Sequence, residues 1–117
     1  MAIDIYDNLS YILNMILIGR NIIVEFGKAH PHSRNPLSAW EKAIKQTDYK
    51  NFNELKRTFP SVDYVSHQYT IFDIGGNKYR LITEIDYIAK VVNVKRVWTH
   101  AEYSMRKNDD AMQRGKL

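Results

Sequence analysis

Cysteine is missing from the chain altogether. Disulfides, thiolate metal sites and cysteine nucleophiles are therefore excluded, and the fold must hold by packing alone. Histidine is scarce, with four residues, and only His30 and His32 lie near each other. No His-x-x-x-His pair is present, so no metal site and no cofactor is expected. Long apolar runs are also missing. The longest, Tyr11 to Val24, is broken by Asn14, Arg20 and Asn21 and falls short of the roughly 20 apolar residues that span a bilayer. The acidic start lacks the positive region of a secretory signal, so a soluble cytoplasmic protein without membrane contact is expected.

At 117 residues with 44% hydrophobic content, one compact domain over residues 15–117 is expected. Residues 1–14 are read either as a short amphipathic helix carrying Ile5, Leu9, Ile12 and Leu13 or as an extension added by an upstream start. The net charge is +4. Of the 13 acidic residues two, Asp4 and Asp7, precede residue 15 and no Lys or Arg does, which leaves 17 basic against 11 acidic side chains in the remainder. That imbalance favours a polyanionic or acidic partner.

Three runs rich in Ile, Val and Tyr read as strands: Tyr69 to Ile74, Tyr79 to Ile85 and Val91 to Trp98. Gly75-Gly76-Asn77 supplies the positive-φ residues of a tight hairpin between the first two; it lacks the lysine-ended spacing of a phosphate loop. Met15 to Gly19 reads as a short first strand joining this antiparallel meander. Ile22, Ile23 and Phe26 recur at helical spacing from Arg20 to about Ala29, where Pro31 stops the run. Asn35-Pro36 reads as cap and first position of a second helix with Leu37, Trp40, Ala43 and Ile44 on one face. A third short helix is expected near Asn53, with Leu55 inward. Ser61 to Gln68 reads as a loop, and the chain after about residue 108 is expected to fray. The expected class is α+β, a small antiparallel sheet with two to three helices packed on one face.

Side-chain alternation puts Tyr79, Leu81, Thr83 and Ile85 on the core face of their strand and Lys78, Arg80, Ile82 and Glu84 on the other. Arg80 then stands mid-sheet, where a guanidinium is costly unless an anion meets it. It is either an anion-binding cation or the partner of Glu84. An unpaired cation adds little stability, so Arg80→Ala is expected to leave folding nearly intact. Past the last strand, Thr99-His100-Ala101-Glu102-Tyr103 places an imidazole, a carboxylate and a phenol within four residues. Imidazole titrates nearest neutrality of the side chains, at about 6.5, which makes His100 the first proton-transfer candidate. Glu102 either orients it or acts as base, and Tyr103 either stacks, donates or closes the core edge. Lys95 and Arg96 fall on opposite faces, so at most one joins Arg80. Lys78 is either a second phosphate contact or a solvated turn residue. The linker His30 to Arg34 is either a solvated turn with His30 capping helix carbonyls or an RNA contact.

Gly76-Asn77-Lys78-Tyr79-Arg80-Leu81 and Thr99-His100-Ala101-Glu102-Tyr103, with Lys28-Ala29-His30-Pro31 and Leu37-Ser38-Ala39-Trp40 upstream, resemble the HigB branch of the RelE-like bacterial toxins. The likeness covers roughly Met15 to Tyr103. It implies a RelE-like fold and a ribosome-dependent mRNA endonuclease that works by metal-independent 2′-hydroxyl attack. Arg80, His100, Glu102 and Tyr103 are then catalytic, with Lys28, His30, Arg34, Lys78 and Arg96 as RNA contacts. It also implies a helix-turn-helix, HigA-like antitoxin as partner, through which alone DNA would be reached. The competing reading is a basic module that binds RNA or protein without catalysis. Arg80 beside the His100–Tyr103 segment separates the two, because a pure binder has no need of that grouping.

Overall fold

A five-stranded sheet in the order β1-β5-β4-β3-β2 forms the spine of the computed structural model, which describes residues 14–117. The alternatives for residues 1–13 lie outside the described residues. Strand β1 (Ile16–Ile18) lies parallel to β5 (Val91–Thr99), and β2 (Asp63–Val65), β3 (Tyr69–Ile74), β4 (Tyr79–Asp86) and β5 pair antiparallel in succession. Gly75 and Gly76 close the β3–β4 hairpin at φ 64° and 71°, a region that suits glycine.

Three helices follow β1 and precede the hairpin: α1 (Arg20–Ala29), α2 (Arg34–Lys45) and α3 (Phe52–Thr58). Gly19 turns the chain from β1 into α1 at φ 86°, and a Cβ there would stand 2.7 Å from the Val94 carbonyl oxygen. Only glycine fits that approach. Pro31 ends α1 and begins a 3₁₀ turn (Pro31–Ser33), in which the Ser33 hydroxyl donates to the His30 carbonyl at 2.7 Å. Helix α2 therefore begins at Arg34, and Asn35-Pro36 sits inside its first turn instead of capping it. Proline is tolerated there because the first amides lack intrahelical partners. Asn51 caps α3, accepting from the Glu54 amide at 2.9 Å.

Helices α1–α3 cover one face of the sheet. Leu37, Trp40, Ile44 and Leu55 meet Phe72, Leu81, Val92, Val94 and Val97 there, all buried. The Trp40 ring packs edge-on against Phe72 at 5.3 Å between centroids, a core position as its place on the apolar stripe of α2 indicates.

Two expectations are corrected. Residues 63–65, read as loop, form β2, whose three ladder positions hold the outer edge of β3; three residues are too short to show a periodic signal. Past the short α4 (His100–Tyr103), the chain after about residue 108, expected to fray, lies in and just beyond α5 (Arg106–Gln113). Met112 of α5 is buried with Tyr69, Ile71, Ile82 and Trp98 in a second apolar cluster on the opposite face. The Leu117 amide donates to the Tyr69 hydroxyl at 3.0 Å, and the Ser66 hydroxyl to Gln113 at 3.0 Å. A single apolar residue on a highly charged helix gives little sequence signal, yet its burial anchors the segment.

Candidate active site

The end of the sheet nearest the Gly75–Lys78 turn gathers most of the chemistry-bearing residues. The turn pairs Ile74 with Tyr79, so Asp73 lies directly across the ladder from Arg80, and Arg80 lies across from Trp98 on β5. Tyr79 pairs with Thr99, and the His100 amide donates to the Lys78 carbonyl at 2.9 Å. Lys78, Arg80 and the start of α4 are thereby brought to one place.

Arg80 is 8% exposed, and its guanidinium is well partnered. Nε lies 3.1 Å from Asp73 Oδ1, and Nη1 donates to the Asn77 and Tyr79 carbonyls at 3.2 Å each. Nη2 donates to Asn77 Oδ1, and the Tyr103 ring centroid lies 5.3 Å from Cζ. Glu84 is not its partner. That carboxylate lies 3.8 Å from Lys95 Nζ and accepts from Gln68 Nε2 at 3.2 Å. Nor is Arg80 an unpaired cation, and the expectation that its removal would leave folding intact falls with that. Truncation would free Asp73 and Asn77, at a cost of about 1.5 to 3 kcal/mol for charged hydrogen bonds.

Helix α4 begins with a capping box. The Glu102 amide donates to the Thr99 hydroxyl at 3.1 Å, and the Thr99 amide donates to Glu102 Oε1 at 2.9 Å. This fixes the entry of α4 and commits one Glu102 oxygen to the cap. His100, the first residue of α4, is exposed. Tyr103 is partly buried, and burial raises its phenol above the ordinary tyrosine value, with Asp63 adding to the rise and Arg80 opposing it. Tyr103 is therefore a neutral hydrogen-bond donor at neutral pH.

The basic candidates divide. Lys78 is exposed on the turn beside Arg80. Arg96 pairs across β4 with Ile82, while Lys95 is the extra residue of a β-bulge, since Thr83 pairs with Val94 and Ile82 with Arg96. The bulge shifts the alternation. Arg96 shares the Ile82 side, and Lys95 reaches Glu84 on that same side, so the expected opposition of these two residues does not hold. Arg96 is exposed, with Nη1 donating to the Lys95 carbonyl at 2.6 Å.

Lys28, His30 and Arg34 belong to the helical layer and are not brought to Arg80. Lys28 pairs with Glu25 at 3.1 Å, and Arg34 Nε donates to the Gly27 carbonyl at 2.9 Å. The His30 ring stacks on Phe26 at 4.2 Å and lies 6.2 Å from Tyr79. Among the described residues, a groove of about 310 Å³ runs between α1 and α2 past Lys28 and Arg34. A shallower hollow of about 770 Å³ lies at the far end of the hairpin, near Gln68, Glu84, Tyr87 and Asn93. Neither includes Arg80, His100 or Tyr103; the exposed Lys78 and His100 leave that end of the sheet open.

Such a site, an arginine seated in a five-stranded sheet beside an exposed histidine and a tyrosine, suits an anion more than a small apolar ligand. Comparison with known proteins agrees. Residues 33–105 match the family described as HigB toxin, the RelE-like toxic component of a toxin-antitoxin system. The chain is 30% identical over 91 residues to an mRNA interferase HigB of Escherichia coli O6:H1, covering 76% of this chain and 88% of that protein. It is 28% identical over 92 residues to the mRNA interferase toxin HigB of Escherichia coli K12 and to an mRNA interferase HigB of Shigella flexneri, with the same coverage. The chain belongs to the HigB family of RelE-like toxins and is the toxic component of a toxin-antitoxin pair, its partner an antitoxin. Among the described residues no helix is long and apolar enough to cross a membrane.

Sequence reasoning missed Asp73, Asn77 and Thr99. The hairpin register predicts the first, since a turn that pairs Ile74 with Tyr79 necessarily pairs Asp73 with Arg80. Thr99-x-x-Glu102 is a capping-box pattern and predicts the third.

Proposed function

We propose that this chain is a ribosome-dependent endoribonuclease that cuts translated mRNA and so halts translation; the relatives' name, mRNA interferase, supports an mRNA-directed activity. The observation that carries the reading is the Arg80 guanidinium, fixed at an open sheet end with Lys78 and the His100–Tyr103 segment around it.

In this mechanism the 2′-hydroxyl oxygen attacks the adjacent phosphorus while the bond from phosphorus to the 5′-oxygen breaks. The products are a 2′,3′-cyclic phosphate and a 5′-hydroxyl. Arg80, assisted by Lys78, offsets the charge that gathers on the phosphate oxygens. His100 carries the proton transfer, because it is exposed and free of the capping contacts that occupy Glu102. Tyr103 donates from its neutral phenol or stacks on a base beside Arg80. Lys28, His30, Arg34 and Arg96 are peripheral RNA contacts at most, since they lie on the helical layer or along the sheet. An open site does little to align a flexible strand. The ribosome supplies that alignment, an entropic contribution of several kcal/mol, and free RNA is cut poorly. The antitoxin partner is a helix-turn-helix protein that covers or distorts the basic surface and alone contacts DNA.

The test is a purified translation system with a defined message in the ribosomal A site. Wild type should give 5′-hydroxyl ends. Arg80→Ala should lose about 10²- to 10³-fold in rate, as when one transition-state donor is removed, and His100→Ala about 10²-fold or more. Ends bearing 5′-phosphate, or full activity in both variants, would overturn the reading. Full activity in His100→Ala alone would move the proton role to Glu102 or Tyr103.

A further inference from the structure

We propose that Asp73, together with Asn77, is a positioning residue that aims Arg80 at the RNA phosphate; the inference rests on the reading of Arg80 given above. A guanidinium has five N–H donors in a rigid fork. In Arg80 three hydrogen bonds hold the Nη side of the fork: Nη1 donates to the Asn77 and Tyr79 carbonyls at 3.2 Å each, and Nη2 donates to Asn77 Oδ1. Asp73 Oδ1 forms an ion pair with the Nε edge at 3.1 Å. The fork is thus held along three of its edges, with the Tyr103 ring 5.3 Å from its centre.

The arrangement is built by the hairpin itself. Asp73 and Arg80 face each other across the ladder, where opposite charges on one sheet face interact favourably. Asn77 belongs to the four-residue turn between the two strands and reaches back to the same side chain through both its carbonyls. The two partners differ in exposure. The Arg80 side chain is 10% exposed and that of Asp73 30%, so the carboxylate anchors the cation from the solvent side while the cation stays sunk in the sheet. A phosphate that reaches Arg80 meets a donor whose direction is already set, which removes a reorganisation cost from the transition state. Asp73 need not touch RNA to matter. Its effect passes through the orientation of Arg80.

The test is a double-mutant cycle on single-turnover cleavage in the same ribosomal assay, with Asp73→Ala, Asp73→Asn, Arg80→Ala and the Asp73→Ala/Arg80→Ala pair. Asp73→Ala should slow cleavage by about 10²-fold, the scale of a small misplacement at a reacting centre, with little change in affinity for the programmed ribosome. Asp73→Asn keeps an oxygen acceptor for Nε and should recover most of the rate, which a role confined to net charge would not allow. In the Arg80→Ala background Asp73→Ala should have no further effect. Thermal melting of each variant checks the fold, and Asn77→Ala, which removes only the Nη2 acceptor, replaces Asp73→Ala should that variant not fold. A wild-type rate in Asp73→Ala alongside a slow Arg80→Ala would overturn the positioning role and leave the Arg80 reading standing. A loss that persists undiminished in the Arg80→Ala background would overturn it as well, by showing that Asp73 acts on its own. A wild-type rate in Arg80→Ala would instead remove the reading on which the proposal rests.

Discussion

The two faces of the sheet are built on different principles. Beneath α1–α3, 14 buried residues among those described form one apolar cluster that includes Trp40, Phe72 and Leu81. The opposite face has a cluster of five, Tyr69, Ile71, Ile82, Trp98 and Met112, and next to it Arg80 in a mesh of hydrogen bonds. The first face is specified by volume and tolerates no gap. The second trades apolar area for directed polar contacts and leaves one end open. Stability is thus concentrated on the face without the candidate chemistry, and the other is free to be charged because it is not the main source of folding free energy.

Trp40→Ala should break this comparison most forcefully. Removing a buried aromatic ring costs about 3 to 5 kcal/mol, measured as a fall in melting temperature or denaturant midpoint, while the fraction still folded keeps its cleavage rate. A variant that melted normally yet lost activity would place Trp40 in the site and end the division of labour between faces.

Met112→Ala comes next, at about 2 kcal/mol, the lower end for a buried methionine, because only one end of the smaller cluster is opened. The loss should appear in melting and as faster amide exchange in α5. No change in either would mean that residues 106–113 do not anchor on the Trp98 side.

How much of this was legible in the sequence follows the same division. The face made by volume announced itself: Leu37, Trp40 and Ile44 recur at helical spacing, and the strands from Tyr69, Tyr79 and Val91 begin where the apolar runs begin. The face made by contacts did not. Arg80 stood out as a cation mid-strand, but alternation alone suggested Glu84 as its partner, whereas the ladder across the turn supplies Asp73. The bulge at Lys95 reverses an alternation that no local pattern marks. Two short elements were lost because no apolar run marks them: β2 is Asp63-Tyr64-Val65 and α4 is His100-Ala101-Glu102-Tyr103, whereas the equally short β1 is marked by Ile16-Leu17-Ile18. Met112 is a lone apolar side chain on α5, and its burial depends on a surface formed by strands far away in sequence.

Thr99→Ala sharpens the comparison at the junction between sheet and site. It removes the acceptor of the Glu102 amide and leaves half a capping box, a loss of about 1 kcal/mol. Because His100 follows the cap directly, the cleavage rate should fall by more than the stability change accounts for, and Thr99→Ser should restore both. Equal and small effects on both quantities would make the cap a matter of stability alone.

The smallest expected effect belongs to the helical layer's own surface. Glu41 of α2 accepts from Arg20 Nε at 3.0 and 3.1 Å and from Lys45 at 3.2 Å. Partial burial alone would raise its carboxyl, but the hydrogen bonds from Arg20 and Lys45 outweigh that and hold it below the usual 4.5. A carboxyl lowered in the folded state contributes stability that is present above the unfolded value and lost as pH falls through the folded one. Glu41→Gln should therefore be less stable than wild type at pH 7 by under about 1 kcal/mol, since Arg20 is 61% exposed and the pair is screened by solvent. The gap should close as pH drops below about 4.5, and shrink with added salt. The absence of any gap between pH 7 and pH 3 would show that Glu41 acts through its methylenes, which glutamine keeps, and not its charge, and would make this helical face apolar in its energetics to the very rim.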